Sequence, residues 1–258
     1  MEGERVPAPR LSGCVMAFME EQNIGDCLRS MSFCDEILVV DGGSTDRTRE
    51  IAESLGARVL VNAPFPGWTA QRQFSIDQAR HDWILTMDAD ERVTDELRGE
   101  IEGLRSRGFP GTSYEVPRRN IYLGKELRRG LFWPDRKLRL FNRGRAKCGG
   151  VDPHDRIETT DGSRPEILRG GLRHTSFHTF EEHLQAVDRY TRVAAEALWA
   201  QGRRATVLDL LVRPPAVVFK SLILKRGFVD GWRGFLVSGM AGYYDWLKYW
   251  RLIRGPKS

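Results

Sequence analysis

The sequence predicts an α/β protein with a mostly parallel sheet flanked by helices and with a helical C-terminal extension. Short β-branched runs alternate with helical stretches over the first hundred residues, a pattern typical of parallel strands joined by crossover helices. From Gly108 to Gly171 the pattern breaks into short pieces rich in Gly, Pro and Arg, which favours loops and antiparallel strands. A helical pattern returns over Phe180 to Ala200.

The elements of the first half follow from apolar runs and from the turn residues between them. Strands are predicted at Gly13 to Phe18, Glu36 to Val40, Arg58 to Val61 and Trp83 to Met87. Helices are predicted in the gaps, at Ile24 to Met31, Asp46 to Leu55, Thr69 to Ala79 and Asp95 to Leu104. Ser44 to Asp46 supplies N-capping side chains for the second helix, and Gly56 suits its C-terminus.

The composition is that of an ordinary globular protein. The chain has 258 residues, 41% hydrophobic and 29% charged, which is enough to bury a real core. Met1 to Arg10 lacks the apolar core of a secretory signal, so we expect no export. The four cysteines form no Cys-x-x-Cys pair and have no His at ligand spacing. They are therefore expected to be reduced cytosolic thiols rather than part of a disulfide framework or a zinc site.

The positive charge is concentrated at the C-terminal end. Arg203 to Ser258 holds eleven Lys and Arg against three Asp, a net charge of +8 in a chain whose total is +5. Aromatic residues are interleaved with these cations, among them Trp232, Phe235, Tyr243, Tyr244, Trp246, Tyr249 and Trp250. Charged residues interrupt every apolar stretch, so no span of about 20 residues is available to cross a bilayer.

Three interpretations of this basic, aromatic region are possible from the sequence. It fits a segment lying on an anionic membrane surface. The aromatic residues can equally be core residues that pack on the preceding domain. The mixture also suits single-stranded nucleic acid, which would make the chain a binding protein without catalysis. That last interpretation leaves the acidic residues described next without a role.

The first group of residues with chemical potential surrounds Asp41. An apolar strand delivers Asp41 to its carboxyl end, and Gly42 and Gly43 let the backbone turn closely into a helix. Ligands of open α/β sheets bind at such strand ends. The glycine spacing is neither a dinucleotide fingerprint nor a phosphate-binding P-loop. A capped strand-to-helix turn without a ligand explains this segment equally well.

The second group follows the fourth predicted strand, which ends in Asp88-Ala89-Asp90-Glu91. Asp88 and Asp90 would share a face if the strand continued, and in a turn they would still be close. Carboxylates this close repel one another, and a hard cation that prefers oxygen ligands would relieve the repulsion. The alternative is a solvated acidic turn that caps the next helix.

Taken together, several segments resemble family 2 glycosyltransferases, which have the GT-A fold. The segments that carry the resemblance are Ala17 to Ile24, Val40 to Asp46, Gln71-Arg72 and Leu85 to Glu91. Two downstream segments, Trp133 to Phe141 and His174 to Phe177, are similar to the branch that contains lipopolysaccharide-core glucosyltransferases. The likeness covers about residues 11 to 250 in unbroken order. We therefore expect a GT-A domain over residues 11–200 and a basic, aromatic helical extension over 201–258.

The resemblance implies roles for individual residues. Asp41 would hold the uracil or ribose end of the donor, Arg72 would approach its diphosphate, and Asp88 and Asp90 would bind Mg²⁺ or Mn²⁺. A late histidine often completes the metal shell of GT-A enzymes, which here implies His174. The other donor-binding positions would be Phe18, Glu20, Gly43 and Ala89. Asp88 would contact the donor as well as the metal. The chain departs from the family pattern at Met19 and Phe74, where the family usually has Asn.

The implied chemistry is sugar transfer with inversion. A nucleoside diphosphate leaves from one face of the sugar while an acceptor hydroxyl attacks the other, so phosphate charge must be neutralised and a proton removed. Similar enzymes have an acidic residue beside a His or Glu after a basic Arg-Leu-Phe strand, which implies Asp155 as the base. Asp135 is the second candidate. Asp155 can instead simply pair with Arg156 or Arg139.

The resemblance thus implies transfer of a hexose, from a UDP-sugar, to a hydroxyl of a lipopolysaccharide-core or other cell-envelope glycan. The enzyme would act in the cytoplasm at the inner face of the cytoplasmic membrane, without a nucleic-acid partner. The enzymatic alternative is a metal-dependent nucleotidyltransferase, which would attack the α-phosphate instead of the sugar carbon. Six arginines are candidates for phosphate contacts or for an ordinary solvated surface: Arg118, Arg119, Arg128, Arg129, Arg136 and Arg139.

Overall fold

The computed structural model describes residues 7–152, 154–177 and 179–255. Pro153, which belongs to the segment around the predicted base, lies outside the described residues, as do His178 and both ends of the chain. The chain forms two compact units, one of Met1–Arg118 with Asp135–His174, the other of Arg119–Pro134 with Thr175–Ser258. The expected division at residue 200 stays a prediction about domain organisation.

The first unit contains the parallel half of a mixed sheet. Its strands are β1 (Leu11–Ala17), β2 (Glu36–Asp41), β3 (Arg58–Val61) and β4 (Trp83–Asp88). β1 pairs in parallel with both β2 and β4, and β2 pairs with β3, which gives the order β3-β2-β1-β4. The chain extends outward from one side of β1 and then returns to the other side. This reversal is the topological switch point at which open α/β sheets bind ligands.

The four predicted strands are confirmed to within two residues, and so are the four helices. The observed helices are α1 (Ile24–Ser30), α2 (Thr48–Ser54), α3 (Trp68–Gln78) and α4 (Asp95–Ser106). Before α2, the Asp46 carboxylate accepts the backbone N–H of Thr48 at 3.1 Å. After it, Gly56 takes the left-handed backbone, with φ of +81°, that ends many helices.

Most of the remaining strands pair antiparallel, as expected for the segment without clear periodicity. They are β5 (Glu91–Val93), β6 (Ser113–Tyr122), β7 (Lys125–Glu126), β8 (Arg136–Asn142), β9 (Ala146–Val151), β10 (His154–Thr159), β11 (Glu166–Ile167) and β12 (Leu172–Phe177). β8 pairs antiparallel with β4 and β6, and β12 pairs antiparallel with β5. β9 and β10 form a separate hairpin, and β11 pairs in parallel with β6. The prediction of an α/β fold with a mostly parallel sheet flanked by helices is confirmed for the parallel half and its helices.

Alternate residues of the strands pack on opposite faces of the sheet. Val15 and Leu85 belong to a core with α1 and α4, whereas Cys14 and Ile84 belong to a core with α3 and the β9–β10 hairpin. This alternation is the period-two pattern of strands that are buried on both faces. All four cysteines are free thiols, two of them fully buried.

The second unit is mainly helical. It contains α5 (Phe180–Ala200), α6 (Val207–Phe219) and α7 (Trp232–Arg254). Thr179 and Thr206 begin the first two helices with capping boxes. α6 and α7 approach closely at Gly242 of α7. A Cβ placed there would lie only 2.6 Å from a methyl carbon of Val218. Within the described residues, no helix has the length and apolar character needed to cross a bilayer.

Candidate active site

Three strands of the first unit end side by side and bring the predicted donor residues to one edge. In the sheet register, Ala17 of β1 is opposite Asp41 of β2, and Met16 of β1 is opposite Asp88 of β4. Asp41 and Asp88 therefore lie on either side of the end of β1. The register brings together residues that are almost fifty positions apart in the sequence.

Asp41 organises the turn that follows β2. Its side chain is fully buried, and Oδ1 accepts the backbone N–H groups of Gly43 at 3.0 Å and Ser44 at 2.8 Å. The Ser44 hydroxyl donates to Oδ2 of Asp41 and accepts the backbone N–H of Met19 at 2.8 Å. Gly43 has φ of +99°, a conformation that side-chain-bearing residues rarely adopt. The turn is thus fixed by internal hydrogen bonds.

Aromatic and acidic side chains surround this turn. Phe18 is 54% exposed, and its ring and that of Phe65 flank the backbone at Gly42, where a Cβ would lie 3.5 and 3.3 Å from them. Glu20 is half-buried and accepts the Asn23 side-chain amide at 2.9 Å. Burial raises the pKa of Glu20 although the Asn23 hydrogen bond opposes this, and the Asp90 carboxylate raises it further.

Arg72 joins α3 to the end of β4 and to the hairpin. Its side chain is buried, and it donates to Asp88 Oδ1 at 2.7 Å, to Thr86 Oγ1 at 3.0 Å and to the Asp155 carboxylate. Asp155, the first candidate base, therefore pairs with Arg72. Among the contacts of the described residues, the alternative partners from the sequence are engaged elsewhere: Arg156 pairs with Glu158, and Arg139 pairs with Asp88 and Glu91.

Arg139 forms the second half of the same cluster. One of its terminal nitrogens donates both to Asp88 Oδ2 at 2.6 Å and to Glu91 Oε1 at 2.7 Å. Glu91 is fully buried, and its other oxygen accepts the backbone N–H of Asp88 at 3.0 Å. Although burial opposes ionisation, the guanidinium groups of Arg139 and Arg72 hold the pKa of Asp88 well below its usual value. Asp88 is thus an ionised carboxylate with both oxygens engaged.

Asp135 lies at the far end of this cluster. Its carboxylate accepts from Arg118 Nε at 2.6 Å, and Arg118 in turn lies 3.6 Å from Glu91. Charges therefore alternate through the site, a series that we call the charge chain. Its members, in order, are Asp155, Arg72, Asp88, Arg139, Glu91, Arg118 and Asp135. The two candidate bases are its two ends.

Asp90 stands apart from the charge chain and contacts the predicted histidine. Asp90 Oδ2 lies 3.1 Å from His174 Nε2, so two predicted metal residues that are 84 positions apart are neighbours. Asp90 Oδ1 is a buried oxygen without a hydrogen-bond partner in the part of the chain that the structure describes. Ala89, between the two aspartates, is buried, and its carbonyl accepts from Arg92 at 3.0 Å.

These residues fit a cation that is completed by a substrate. Among the described residues, no group of three His, Cys, Asp or Glu side chains is arranged to hold a metal alone. Mg²⁺ is commonly held by one or two carboxylates together with substrate phosphates and water. The orphaned Asp90 oxygen beside His174 offers that kind of partial site. Asp88 would have to exchange an arginine partner to become a direct ligand.

One functional contact was missed by sequence reasoning. Asp152, at the tip of the β9–β10 hairpin, accepts the backbone N–H groups of Trp68 at 3.1 Å and Thr69 at 2.8 Å. It therefore caps the helix that carries Arg72 from a position more than eighty residues away. The sequence signal would have been a helix start without its own cap, since Gly67 precedes Trp68. Glu91 was also not assigned a role, although it follows Asp90 directly.

Comparison with known proteins identifies relatives over almost the whole chain. The sequence model described as "Glycosyl transferase family 2" matches residues 12–169. The lipopolysaccharide core biosynthesis glycosyltransferase LpsC of Rhizobium meliloti is 27% identical over 245 residues, 93% of this chain and 87% of its own. The uncharacterized glycosyltransferase RT0209 of Rickettsia typhi is 28% identical over 254 residues, 94% of this chain and 86% of its own. Both relatives favour a glycosyltransferase over the nucleotidyltransferase and nucleic-acid-binding alternatives.

A solved structure also aligns with part of the chain. Glucosyl-3-phosphoglycerate synthase from Mycobacterium tuberculosis, solved with Mn²⁺, uridine diphosphate and glucosyl-3-phosphoglycerate, is 24% identical with a TM-score of 0.36. The match spans 45% of this chain and 45% of the synthase, less than half of either protein.

Proposed function

Because the chain belongs to glycosyl transferase family 2, we propose that it transfers a hexose, with inversion, from a UDP-sugar to a hydroxyl of a cell-envelope glycan. The observation that carries this proposal is the meeting of Asp41, Arg72, Asp88 and the Asp90–His174 pair in one unit, at the edge where β1, β2 and β4 end. The name of LpsC, to which the chain is similar over most of its length, supports a lipopolysaccharide-core acceptor.

The arginines of the charge chain supply positive charge for the leaving group. Arg72 is fixed by three partners and Arg139 by two, so both guanidinium groups are held in place before a donor arrives. Fixed donors that need not reorganise are worth more to a developing phosphate charge than mobile ones. In this proposal Arg72 stays held by Asp88 and Thr86, and only its contact with Asp155 is exchanged for the diphosphate.

Asp90 and His174 would hold Mg²⁺ or Mn²⁺, with Asp88 as the third candidate ligand. The cation would neutralise diphosphate charge as a Lewis acid. Phe18, Glu20, Gly43 and Ala89 border the same edge and are the proposed donor contacts.

The general base is proposed to be Asp155, with Asp135 as the second candidate. A base must take the proton of the acceptor hydroxyl as the sugar carbon is attacked. Asp155 is partly exposed, with 10% of its side-chain surface accessible, and a donor that engages Arg72 would release the Asp155 oxygen that Arg72 now binds. Asp135 remains paired with Arg118 at the opposite end of the charge chain.

The proposed location is the inner face of the cytoplasmic membrane, where a glycolipid acceptor would be available. The basic region Arg203 to Ser258 supports a membrane contact, because its charge of +8 favours an anionic lipid surface.

Nucleotide-sugar binding tests this function. We expect a panel of UDP-sugars to raise the thermal midpoint of the protein in Mn²⁺ but not in chelator, since a ligand of the native state stabilises it. Asp90→Asn should lose this metal-dependent rise while keeping the ligand-free midpoint. Asp82→Asn is the matched control, because the Asp82 side chain is 73% exposed and pairs only with Arg143 within the described contacts.

Turnover provides the second arm of that test. Release of uridine diphosphate in the presence of acceptor is expected, whereas release of pyrophosphate would indicate a nucleotidyltransferase. Full metal-dependent transfer by a folded Asp88→Asn/Asp90→Asn variant would refute the proposal that these aspartates hold the cation.

A further inference from the structure

Eleven large apolar side chains of the second unit point outward between Val207 and Phe235. Each is 45–68% exposed. They form what we call the apolar surface: Val207, Leu208, Leu211, Val212, Phe219, Ile223, Leu224, Phe228, Val229, Trp232 and Phe235. Folded proteins expose single apolar residues routinely, but a succession this dense marks an interaction site.

The exposed residues of α6 share one helix face. At 100° per residue, Val207, Leu208, Leu211, Val212 and Phe219 fall within an arc of about 140°. The adjoining side of α6 packs inside the unit, where Pro214 is buried and the Val218 side chain approaches Gly242 of α7. The apolar surface of α6 therefore continues well beyond the side that the second unit covers.

The charges around the apolar surface are positive. Between Arg203 and Phe235 there are seven Lys and Arg and two Asp. Both acids are satisfied inside the unit: Asp209 accepts from Thr206 and Arg213, and buried Asp230 accepts the backbone N–H groups of residues 128 and 129. The exposed cations of this segment include Arg203, Arg204, Lys220 and Arg226.

We propose that the apolar surface lies in the headgroup region of an anionic phospholipid bilayer, with these cations against the lipid phosphates. α6 has 13 residues and is thus about 20 Å long, too short for a hydrocarbon core of about 30 Å, which matches a helix lying in the membrane plane. Aliphatic side chains such as Leu208 and Leu224 cannot stack on bases, so nucleic acid explains the cations but not the apolar surface. A second copy of the chain explains the apolar surface but brings like charges together.

Exposure and ring stacking distinguish which part of the basic region, Arg203 to Ser258, is available for the membrane contact. In α7, Tyr243, Trp246 and Trp250 stack on one another with ring centroids 6.4 and 5.8 Å apart, and Arg254 lies 4.3 Å from the Trp250 ring. These aromatics engage one another and are less exposed than the leucines of α6. The proposal therefore assigns the contact to α6, the turns that follow it and the start of α7 at Trp232 and Phe235, and not to the row of stacked aromatics further along α7. This proposed membrane contact is independent of whether the chain catalyses sugar transfer.

Vesicle flotation of the full chain tests this assignment. The protein should float with vesicles that are one-third phosphatidylglycerol, and less so as salt rises, since screening weakens charge attraction. Leu208→Gln/Leu211→Gln/Leu224→Gln should reduce partitioning at least about tenfold with an unchanged circular dichroism spectrum, because exposed positions tolerate Gln. Tyr243→Gln is the matched control and should float like the parent protein.

Two further measurements keep the proposal open to refutation. Lys220→Gln/Arg226→Gln should lower the affinity for anionic vesicles about fivefold per cation removed, without changing the weak binding to neutral vesicles. Equal flotation of the triple leucine variant, or equal binding to neutral and anionic vesicles, would overturn the assignment. A dimer of the parent protein in light scattering that becomes a monomer in the triple variant would also overturn it, and would identify a second copy as the occupant.

Discussion

The charge chain makes the stability of the protein depend on Arg139. The informative change is Arg139→Met, which keeps much of the side-chain volume and removes the guanidinium. Arg139 is 5% exposed and donates to Asp88 at 2.6 Å and Glu91 at 2.7 Å, and Glu91 is fully buried. After the change, the nearest cation to the Glu91 carboxylate is Arg118 at 3.6 Å.

The expected loss of stability in Arg139→Met comes from the buried Glu91 carboxylate, which keeps its charge but loses its Arg139 partner. Removing one partner of a buried ion pair leaves an uncompensated charge and costs about 3–5 kcal/mol. Natural domains of this kind are stable by about 5–15 kcal/mol in total, so the variant should still fold. Glu91→Gln removes the orphaned charge. We therefore expect the double variant Arg139→Met/Glu91→Gln to be more stable than the sum of the two single losses, by about 1–3 kcal/mol.

The loss should also depend on pH. Arg139 and Arg72 hold the pKa of Asp88 well below its usual 3.8 although burial opposes this. The Asp88 contribution is therefore complete above about pH 4 and disappears as pH falls through the lower folded-state value. In Arg139→Met one of the two guanidinium groups that lower the pKa of Asp88 is absent, so less stability is lost when Asp88 becomes protonated. The difference between parent and variant should shrink below about pH 4.

Urea unfolding followed by circular dichroism measures these free energies for the parent protein, both single variants and the double variant. Arg136→Met on the same strand is the matched control, since Arg136 is exposed, and it should change stability by less than about 0.5 kcal/mol. A loss below about 1 kcal/mol for Arg139→Met, or strict additivity in the double variant, would show that these contacts do not act as a coupled buried network.

Three further predictions concern the base, a helix cap and a buried histidine. Asp155→Asn should lower kcat by about 10²–10⁴-fold while keeping donor KM; if Asp135→Asn is the inactive variant and Asp155→Asn transfers normally, the base is Asp135. Asp152→Ala should destabilise the protein by about 1 kcal/mol in urea unfolding, because two backbone N–H groups of α3 lose their acceptor, and Asp152→Asn should recover most of the loss. Burial lowers the pKa of His183 from 6.5 to about 4, so stability should fall by up to about 3 kcal/mol as pH decreases through this window. In calorimetry at several pH values, His183→Gln should flatten that dependence, and an unchanged slope would assign it to other groups.

The sequence predicted the parallel half of the fold because its signals are local. Apolar runs, capping residues and a glycine at a helix end are properties of neighbouring residues, and they located the four strands and four helices to within two positions. The pairing of β5, β6, β8 and β12 joins residues up to about eighty positions apart. No local pattern specifies such partners, so the sequence indicated only antiparallel strands and loops there.

For the candidate site too, the sequence identified individual residues but not their partners. Residue type and position at strand ends identified Asp41, Asp88 and Asp90, and the family resemblance added Arg72 and His174. The sequence left open which cations pair with the carboxylates, because a local pattern offers Asp155 several arginines.

Only the tertiary structure decided those pairings. Packing α3 on the sheet brings Arg72 between Asp155 and Asp88, and the antiparallel pairing of β8 with β4 brings Arg139 onto Asp88 and Glu91. The exposed side of α6 is likewise a tertiary result. Its apolar residues are visible in the sequence, but which of them face outward depends on the side that packs against α7. The residues determine the available chemistry, and long-range packing determines which groups meet, because burial forces each charge to find a partner within a few ångströms.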